Sequence, residues 1–289
     1  MTRRIWSMLA AVFVIASLAP LLVQAFADEW HAPALLPQRL GSRGIGAVLD
    51  NPLLARAVLN STVVALLAVT LALAIGWPAA RAIARAENPG SLTVLVAVPL
   101  LVPGIVVGDG LAVWFLRLHL SDHLLGVALA HLVFVLPYVI LALIPGFTRE
   151  LLETEEAAST LGASRVVRLA SVTLPGVRAS LSLAVGLGFI VSWSQFGTSL
   201  GVGGGLPMLP LVLVPFVRSD PQIAAVLDIV FLVPALAVLF LAGRRRAQPA
   251  RSTNRVTLEQ RSRSSHTALD AETVSVDAPN RASGASNIV

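Results

Sequence analysis

The chain has 289 residues and a formal net charge of +5; 56% of its residues are hydrophobic and only 13% are charged. It contains no cysteine, which excludes disulfides, thiolate metal sites and cysteine nucleophiles. All 21 basic residues are arginine, so the chain lacks the lysine that a Walker-type loop places on phosphates and cannot hydrolyse ATP by that route. The basic charge indicates membrane topology and not nucleic-acid binding.

Long continuous apolar runs predict an all-α integral membrane protein with six transmembrane helices. Barrel strands would show alternating polarity, which these runs lack. The first run has an alternative as a signal peptide, with a cleavage site at Ala25-Phe26-Ala27. Its apolar stretch is longer than the roughly 7–15 residues of a signal core, so we prefer an uncleaved span. The predicted spans cover residues 5–27, 58–83, 92–116, 124–147, 180–202 and 222–242.

The distribution of arginine predicts the orientation of these spans, because cytoplasmic segments of membrane proteins are enriched in positive charge. With the N-terminus inside, the cytoplasmic segments hold eleven arginines and the outer segments hold five. We therefore expect a multi-pass protein of the cell (inner) membrane with both termini in the cytoplasm. The cytoplasmic set is Arg3, Arg4, Arg81, Arg85, Arg149, Arg165, Arg168, Arg178 and Arg244 to Arg246, and the outer set is Arg39, Arg43, Arg56, Arg117 and Arg218.

The chain is predicted to have three parts. Residues 1–55 hold the first transmembrane helix and an outer loop whose prolines and glycines predict irregular or partly helical structure. Residues 56–246 form a core of five transmembrane helices. Within it, the outer run GGGLPMLPLVLVPF is too short to span and is predicted to be interfacial or re-entrant. Residues 247–289 are polar and predict a disordered cytoplasmic tail.

A polar stretch, EEAASTLGASRVVRLASVTLPG at residues 155–176, lies between spans four and five. Its composition favours a helix with a low-profile face at Ala157-Ala158, after which Gly162 permits a sharp turn. A second helical piece is predicted to end at Pro175, which cannot continue the backbone ladder and marks a bend. A short cytoplasmic helix of this kind suits docking into a groove on a partner, and the alternative is an interfacial loop without a partner.

This stretch resembles the signature of binding-protein-dependent ABC importer permeases, in which Glu-Ala-Ala precedes a spaced Gly and then Ile-x-Leu-Pro. The chain has Val172 where the family usually has isoleucine. The run LNSTVVALLAVTLALAIGWPAARAIAR at residues 59–85 is also similar to the span that opens the conserved core of this family, and the resemblance covers about residues 56–245. The residues that match the signature are Glu156, Ala157, Ala158, Gly162, Leu174 and Pro175.

The resemblance implies a transport subunit, not an enzyme, with a cytoplasmic coupling helix between spans four and five. This helix would dock into a cleft of a partner ABC ATPase dimer, whose closure switches the pore between outward and inward access. Glu156 would meet basic or polar groups of the ATPase, and Gly162 would hold the turn. No cofactor is expected in this chain, because the partner hydrolyses ATP. The other implied partners are a second permease subunit, an extracytoplasmic solute-binding protein and the lipid bilayer, with no nucleic acid. Spans two to six look like the branch that serves polyamines, ferric iron and thiamine.

Polar residues inside the predicted spans are candidates for the solute pathway, because ionisable groups are costly in lipid. Asp109 and Asp228 lie at similar depth in the outward half of the membrane and favour a polyamine or another cationic solute. The alternative is that each is satisfied by polar neighbours or lies among headgroups. Trp193, Gln195 and Thr198 lie near mid-depth and resemble pathway-lining residues by position, with helix packing as the alternative.

His119, Asp122 and His123 show the spacing of a metal site, since residues four apart share a helical face. They lie in a short outer loop, however, where solvated side chains are expected. We therefore predict no metal site and no catalytic residue in this chain.

His131 is expected to be an interior histidine with satisfied ring nitrogens. With Ser192 or Ser194 it offers a rival interpretation as a membrane-embedded serine protease, although no Gly-x-Ser-x-Gly elbow is present. A passive channel is a second rival, but a channel would not need a docking helix in the cytoplasm.

Overall fold

The computed structural model describes residues 2–31 and 33–246 of the chain. The described residues up to Leu239 form one compact unit, and Phe240–Arg246 belong to a second. The predicted tail at residues 247–289 lies outside the described residues. The elements in chain order are α1 (Thr2–Ala25), β1 (Ala27–Glu29), β2 (Arg39–Leu40), α2 (Arg43–Leu49), α3 (Pro52–Arg85), α4 (Pro89–Ala97), α5 (Gly104–Arg117), α6 (Leu124–Leu143), α7 (Arg149–Thr160), α8 (Arg165–Arg168), α9 (Leu174–Trp193), α10 (Gly197–Gly203), α11 (Leu209–Ser219) and α12 (Pro221–Arg246).

Four helical segments of the described chain are long and apolar enough to cross a membrane. A bent pair of helices makes a fifth candidate if it counts as one span. The apolar helical segments Ile15–Ala25 and Leu209–Ser219 are shorter, and the second is the predicted interfacial or re-entrant run. The four long segments are Pro52–Arg85, Leu124–Gly146, Arg165–Trp193 and Pro221–Val238.

The predicted span at residues 92–116 corresponds to the bent pair α4 and α5 and is not one straight helix. A 3-10 turn, Val98–Leu101, follows α4, and the axis then bends by 83° before α5. Val102 has extended backbone (φ −91°, ψ 129°), as expected for a residue that precedes a proline. Pro103 cannot donate a backbone hydrogen bond, so the helical ladder ends there and restarts at Gly104.

The predicted bounds of span five, 180–202, and the bend at Pro175 are wrong. The helix runs without a break from Arg165 to Trp193. A π turn, Leu169–Thr173, precedes Pro175, which lies in the first turn of α9. A π turn changes the hydrogen-bond pattern locally, so the missing N–H of proline does not end the helix. The chain leaves the helix at Ser194 and forms the separate helix α10 from Gly197.

The main core lies among α3, α6 and α9, where many of the buried side chains are small. A Cβ added at Gly188 of α9 would lie 3.0 Å from Val139 of α6 and 3.2 Å from Val69 of α3. Small residues at such contacts let helix backbones approach closely, and this packing is a main source of helix association in lipid. The core therefore holds together α3, α6 and α9, and the candidate site is attached to this core.

The predicted outer loop between α1 and α3 folds as the β1–β2 ribbon and α2. Arg43 binds both carboxylate oxygens of Asp220, at Nη1–Oδ2 and Nη2–Oδ1 distances of 2.7 and 3.0 Å. This hydrogen-bonded guanidinium holds the pKa of the Asp220 carboxyl below its ordinary value. Gln222 donates from Nε2 to Oδ1 of Asp28 at 2.8 Å. The ribbon is thus tied to the junction between α11 and α12.

Candidate functional site

The polar stretch between α6 and α9 forms the helix α7. Its N-cap is Thr148, whose hydroxyl accepts a hydrogen bond from the backbone N–H of Leu151 at 3.2 Å. Beyond its end, Gly162 donates to Ser159 O and Ala163 donates to Ala158 O, both at 3.0 Å, as in a Schellman motif. The expected turn at Gly162 is present.

The backbone conformation at Gly162 explains why this turn needs glycine. Its φ is +82°, in the left-handed region that other residues rarely adopt. A Cβ at this position would meet nothing within 4 Å, so the space around it is open. Any cost of substituting Gly162 therefore comes from the backbone and not from a steric clash.

Glu155 attaches α7 to the rest of the chain. It is only 3% exposed, and its carboxylate forms an ion pair with Arg81, near the end of α3. It also accepts a hydrogen bond from the hydroxyl of Thr173 in the π turn, and Arg85 Nη2 lies 3.9 Å from it. A nearly buried carboxylate thus joins three separate parts of the chain.

Glu156 differs from its neighbour in exposure and in partners. Its side chain is 70% exposed, and its nearest charged partner is Arg85 at 3.6 Å. Of the residues that match the family signature, Ala158 is half-buried and the other five are exposed in this chain: Glu156, Ala157, Gly162, Leu174 and Pro175. The face of α7 that carries Glu156 and Ala157 is therefore accessible to a partner.

The sequence interpretation assigned the role on α7 to Glu156 and missed Glu155. The available signal was helical periodicity, because Glu155 follows the buried Leu152 by three residues and so lies on the same face of the helix. Sequence spacing did not indicate Arg81 as its partner, since the two residues are 74 positions apart.

The polar patch at the end of α9 is mostly packed inside this chain. Trp193 is buried, donates from Nε1 to the backbone oxygen of Phe231 at 3.1 Å and stacks on Phe189. Thr198 is fully buried and donates to the half-buried Gln195 at 3.3 Å. These contacts favour the packing alternative for Trp193 and Thr198, and pathway lining remains a prediction for the patch.

The two acids in the predicted spans lie on different helices. Asp109 is exposed on α5, and Asp228 is half-buried on α12. Within residues 2–31 and 33–246, neither carboxylate has a hydrogen-bond or ion-pair partner. An unpaired carboxylate facing lipid tails would be costly, so an exposed Asp109 fits a protein neighbour, an aqueous path or the headgroup region.

His131 lies in a buried hydrogen-bond network, as expected. Its Nδ1 lies 2.8 Å from the hydroxyl of Ser192 and its Nε2 lies 3.0 Å from that of Ser199. Both ring nitrogens are thus satisfied by hydroxyls, and no carboxylate orients the ring in the part of the chain described here. This arrangement links α6, α9 and α10.

The loop between α5 and α6 is held by Asp122, whose Oδ1 accepts a hydrogen bond from the backbone N–H of Gly205 at 2.8 Å. This contact gives Asp122 a structural role that differs from metal binding. No group of three histidine or carboxylate side chains is placed to hold a metal ion among the described residues.

Comparisons with known proteins identify the family. No family model matches the chain. It is 31% identical over 207 residues to the ABC transporter permease protein ORF1 of Streptomyces antibioticus, covering 69% of this chain and 90% of that protein. It is 30% identical over 203 residues to the spermidine/putrescine transport system permease protein PotC of Haemophilus influenzae, covering 68% of this chain and 77% of that protein.

A solved structure shows the same fold. It is that of a bacterial ABC transporter involved in the import of the acidic polysaccharide alginate, with a TM-score of 0.64 at 17% identity over 84% of this chain and 97% of that chain. The chain therefore belongs to the ABC transporter permeases and serves as a transmembrane subunit of an ABC importer. It is a multi-pass membrane protein, and the rival interpretations as a protease or a passive channel are not supported.

Proposed function

We propose that α7 is the coupling helix of this permease, on the cytoplasmic side between the fourth and fifth of six spans, with α1 as the first span. The observation that carries the proposal is the attachment of α7 to α3 through the buried carboxylate of Glu155 and the guanidinium of Arg81. The exposed side of α7, with Glu156 and Ala157, is left to contact the ATPase.

The ion pair gives a physical route from the ATPase to the pore. Removing Arg81 from Glu155 would leave a carboxylate without its main partner in a nearly buried place, at a cost of about 3 kcal/mol. A displacement of α7 is therefore resisted unless the end of α3 moves with it. Since α3 is part of the core, movement of α7 on ATPase closure would be passed to the helices that form the solute pathway.

The composition and charge of the chain also support the partner subunits and the membrane orientation that we propose. The absence of lysine excludes a Walker-type loop in this chain, which supports the hydrolysis of ATP by a partner ATPase dimer. A second permease subunit completes the pathway, and an extracytoplasmic binding protein delivers the solute. The arginine excess supports an orientation with both termini in the cytoplasm, and the inner membrane is the location we propose.

We propose that the transported solute is a cation, such as a polyamine. Support comes from Asp109, which is exposed on α5 without a partner in the described chain, and from the half-buried Asp228. One relative is described as a spermidine/putrescine permease. Asp109 would then face the second permease subunit or the solute path.

The coupling role is tested by changing two residues of the family signature on α7, the exposed Glu156 and the half-buried Ala158. Glu156→Lys reverses a charge toward the partner, and Ala158→Arg places a long side chain in a close contact. Both residues lie outside the spans, so membrane insertion should be near normal. We expect uptake and solute-stimulated ATP hydrolysis to fall together, or the ATPase to be lost on purification.

The matched control is Glu87→Lys, which reverses an exposed charge between α3 and α4, outside α7 and outside the family signature. This variant should keep transport near that of the unaltered protein. Normal transport with bound ATPase in both Glu156→Lys and Ala158→Arg would refute the assignment of α7.

A further inference from the structure

We propose that a cavity beside α7 binds the phosphate group of an anionic phospholipid. The cavity has a volume of about 350 Å³ and lies where the end of α3, α7 and the start of the Arg165–Trp193 segment meet. A second space of about 240 Å³ shares three of its lining residues and adds Arg85, Glu156 and Ser159. The larger cavity is lined by Arg81, Glu155, Arg165, Arg168, Leu169 and Thr173.

The two spaces hold more positive than negative charge. Four guanidinium groups line them, against the two carboxylates of Glu155 and Glu156. Both carboxylates are already engaged, Glu155 with Arg81 and Thr173, and Glu156 with Arg85. An excess of two positive charges therefore remains in a partly enclosed space, where an anion would relieve their mutual repulsion.

The three arginines that line the larger cavity keep unused hydrogen-bond donors. Arg165 and Arg168 have no carboxylate partner among the described residues, and Arg168 donates only to the hydroxyl of Ser159. The Nε of Arg81 is buried without any hydrogen-bond partner in the described chain. Guanidinium groups bind phosphate oxygens through paired donors, so their chemistry fits a phosphate group.

The surroundings favour a lipid over a soluble phosphate. Apolar side chains beside the arginines are exposed, with Val166 at 75%, Val167 at 52% and Leu169 at 43%. The arginines stand at the ends of two helical segments that are long enough to span a membrane. Basic pockets between transmembrane helices at the cytoplasmic surface bind anionic headgroups, while apolar flanks suit acyl chains. The assignment to the cytoplasmic leaflet rests on the topology of the proposed function.

A bound headgroup would contribute to the arrangement of this face. Its phosphate oxygens would accept from arginines on α3 and α8 beside the Glu155 carboxylate of α7. The phosphate would then neutralise the arginines of α3 and α8 and join these two elements next to α7. Anionic lipid should therefore stabilise the position of α7 relative to the spans.

The test measures lipid retention by native mass spectrometry on the full chain purified with its partner subunits. Phosphatidylglycerol, phosphatidylcholine and inorganic phosphate are each added to delipidated protein. Both lipids carry the phosphate, but the quaternary ammonium of phosphatidylcholine would place another positive charge beside the arginines. We therefore expect phosphatidylglycerol to bind about tenfold more tightly, roughly the worth of one charge-assisted contact. Inorganic phosphate at millimolar concentration should not displace it. Equal binding of the two lipids would overturn the proposal, and displacement by inorganic phosphate would instead indicate a soluble anion site.

The double variant Arg165→Gln/Arg168→Gln should abolish the preference for phosphatidylglycerol. Its control, Arg149→Gln/Arg178→Gln, removes the same charge from residues that do not line the cavity, and it should keep the preference. Loss of the preference in both variants, or in neither, would contradict the site.

A measurement on the unaltered protein covers the case in which the double variant does not fold. A phosphatidylglycerol with a photoreactive group near its phosphate should cross-link to peptides within residues 161–175, and cross-linking confined to other peptides would contradict the proposal. ATPase association, scored in the same preparations, separates the two claims: lipid binding without the ATPase would count against the coupling role and not against this site.

Discussion

Arg81, near the end of α3, donates to the nearly buried carboxylate of Glu155 on α7, although the two residues are 74 positions apart in the sequence. The hydroxyl of Thr173 donates to the same carboxylate from the π turn that leads into α9. One side chain of the candidate coupling helix thus reaches two of the core helices. In the proposed function, this relationship is what would carry a movement of α7 to the core.

The Arg81–Glu155 pair should show strong coupling in a double-mutant cycle. Arg81→Met leaves a buried carboxylate without its main partner, so we expect a loss on the order of 3 kcal/mol in the free energy of unfolding. Glu155→Gln should cost less, because the Arg81 side chain is 34% exposed and can be solvated. The double variant should lose less than the sum of the two.

The cycle is measured by thermal unfolding in detergent, together with the amount of solute taken up per ATP hydrolysed. Arg149→Met is the control, because Arg149 pairs with Glu153 on the surface and should change stability by no more than about 0.5 kcal/mol. Additive losses at Arg81 and Glu155, with an unchanged transport ratio, would show that the pair does not connect α7 to the core.

Gly162 offers a test of backbone conformation free of steric effects. Gly162→Val should cost roughly 1–2 kcal/mol, because a β-branched residue is disfavoured at positive φ. Gly162→Asn should be tolerated better, since asparagine visits this region more readily. Uptake and ATPase co-purification should fall for the valine variant and largely survive for the asparagine variant. If the valine and asparagine variants lost uptake equally, the defect would come from having a side chain at this position and not from the conformation of the turn.

The packing of α5 on α10 should depend on glycine at the point of closest approach. A Cβ at Gly108 would collide with the backbone oxygen of Gly197 and lie 3.2 Å from the Cα of Thr198. We expect Gly108→Ala to destabilise the protein by about 1–3 kcal/mol, as overpacking does. Gly110→Ala, on the same helix with nothing within 4 Å, is the matched control. Thermal unfolding of the two variants measures the difference, and equal melting temperatures would contradict this packing.

The two spanning acids should set the preference for a cationic solute. Asp109→Asn and Asp228→Asn keep the side-chain shape and remove the charge. Uptake of the cation should fall in each variant, while membrane levels and ATPase binding remain. The control is Asp50→Asn, since Asp50 follows α2 outside the predicted spans. Uptake equal to that of the control in both variants would leave the acids with structural roles.

Local signals in the sequence predicted α7 and its terminal turn. Helix-forming residues and a glycine lie within a few positions of one another, so near neighbours determine the structure there. Periodicity could have indicated the buried position of Glu155, which the sequence interpretation missed, but not its partner, because Arg81 comes from a distant helix. Of the candidate site, the helix and its turn were therefore predictable from the sequence, whereas the attachment to the core was not.

The prolines show where local rules failed in the fold. Pro103 and Pro175 both lie in apolar surroundings, and the sequence interpretation placed a bend only at Pro175. The structure bends at Val102–Pro103 and continues through Pro175, because a π turn accommodates the second proline. Which proline breaks a helix depends on whether neighbouring hydrogen bonds can rearrange, and single-residue propensity does not contain that information.

The most direct test of the coupling role is a cross-link from α7 to the ATPase. The chain has no cysteine, so Ala157→Cys introduces a single reactive thiol on the exposed face of this helix. Ser42→Cys, beside the β1–β2 ribbon, is the control. With a short bifunctional reagent, the proposal predicts a covalent product between the permease and the ATPase from position 157 and none from position 42. A cross-link from position 42, or none from position 157 in a complex that retains its ATPase, would contradict the assignment of α7 as the coupling helix.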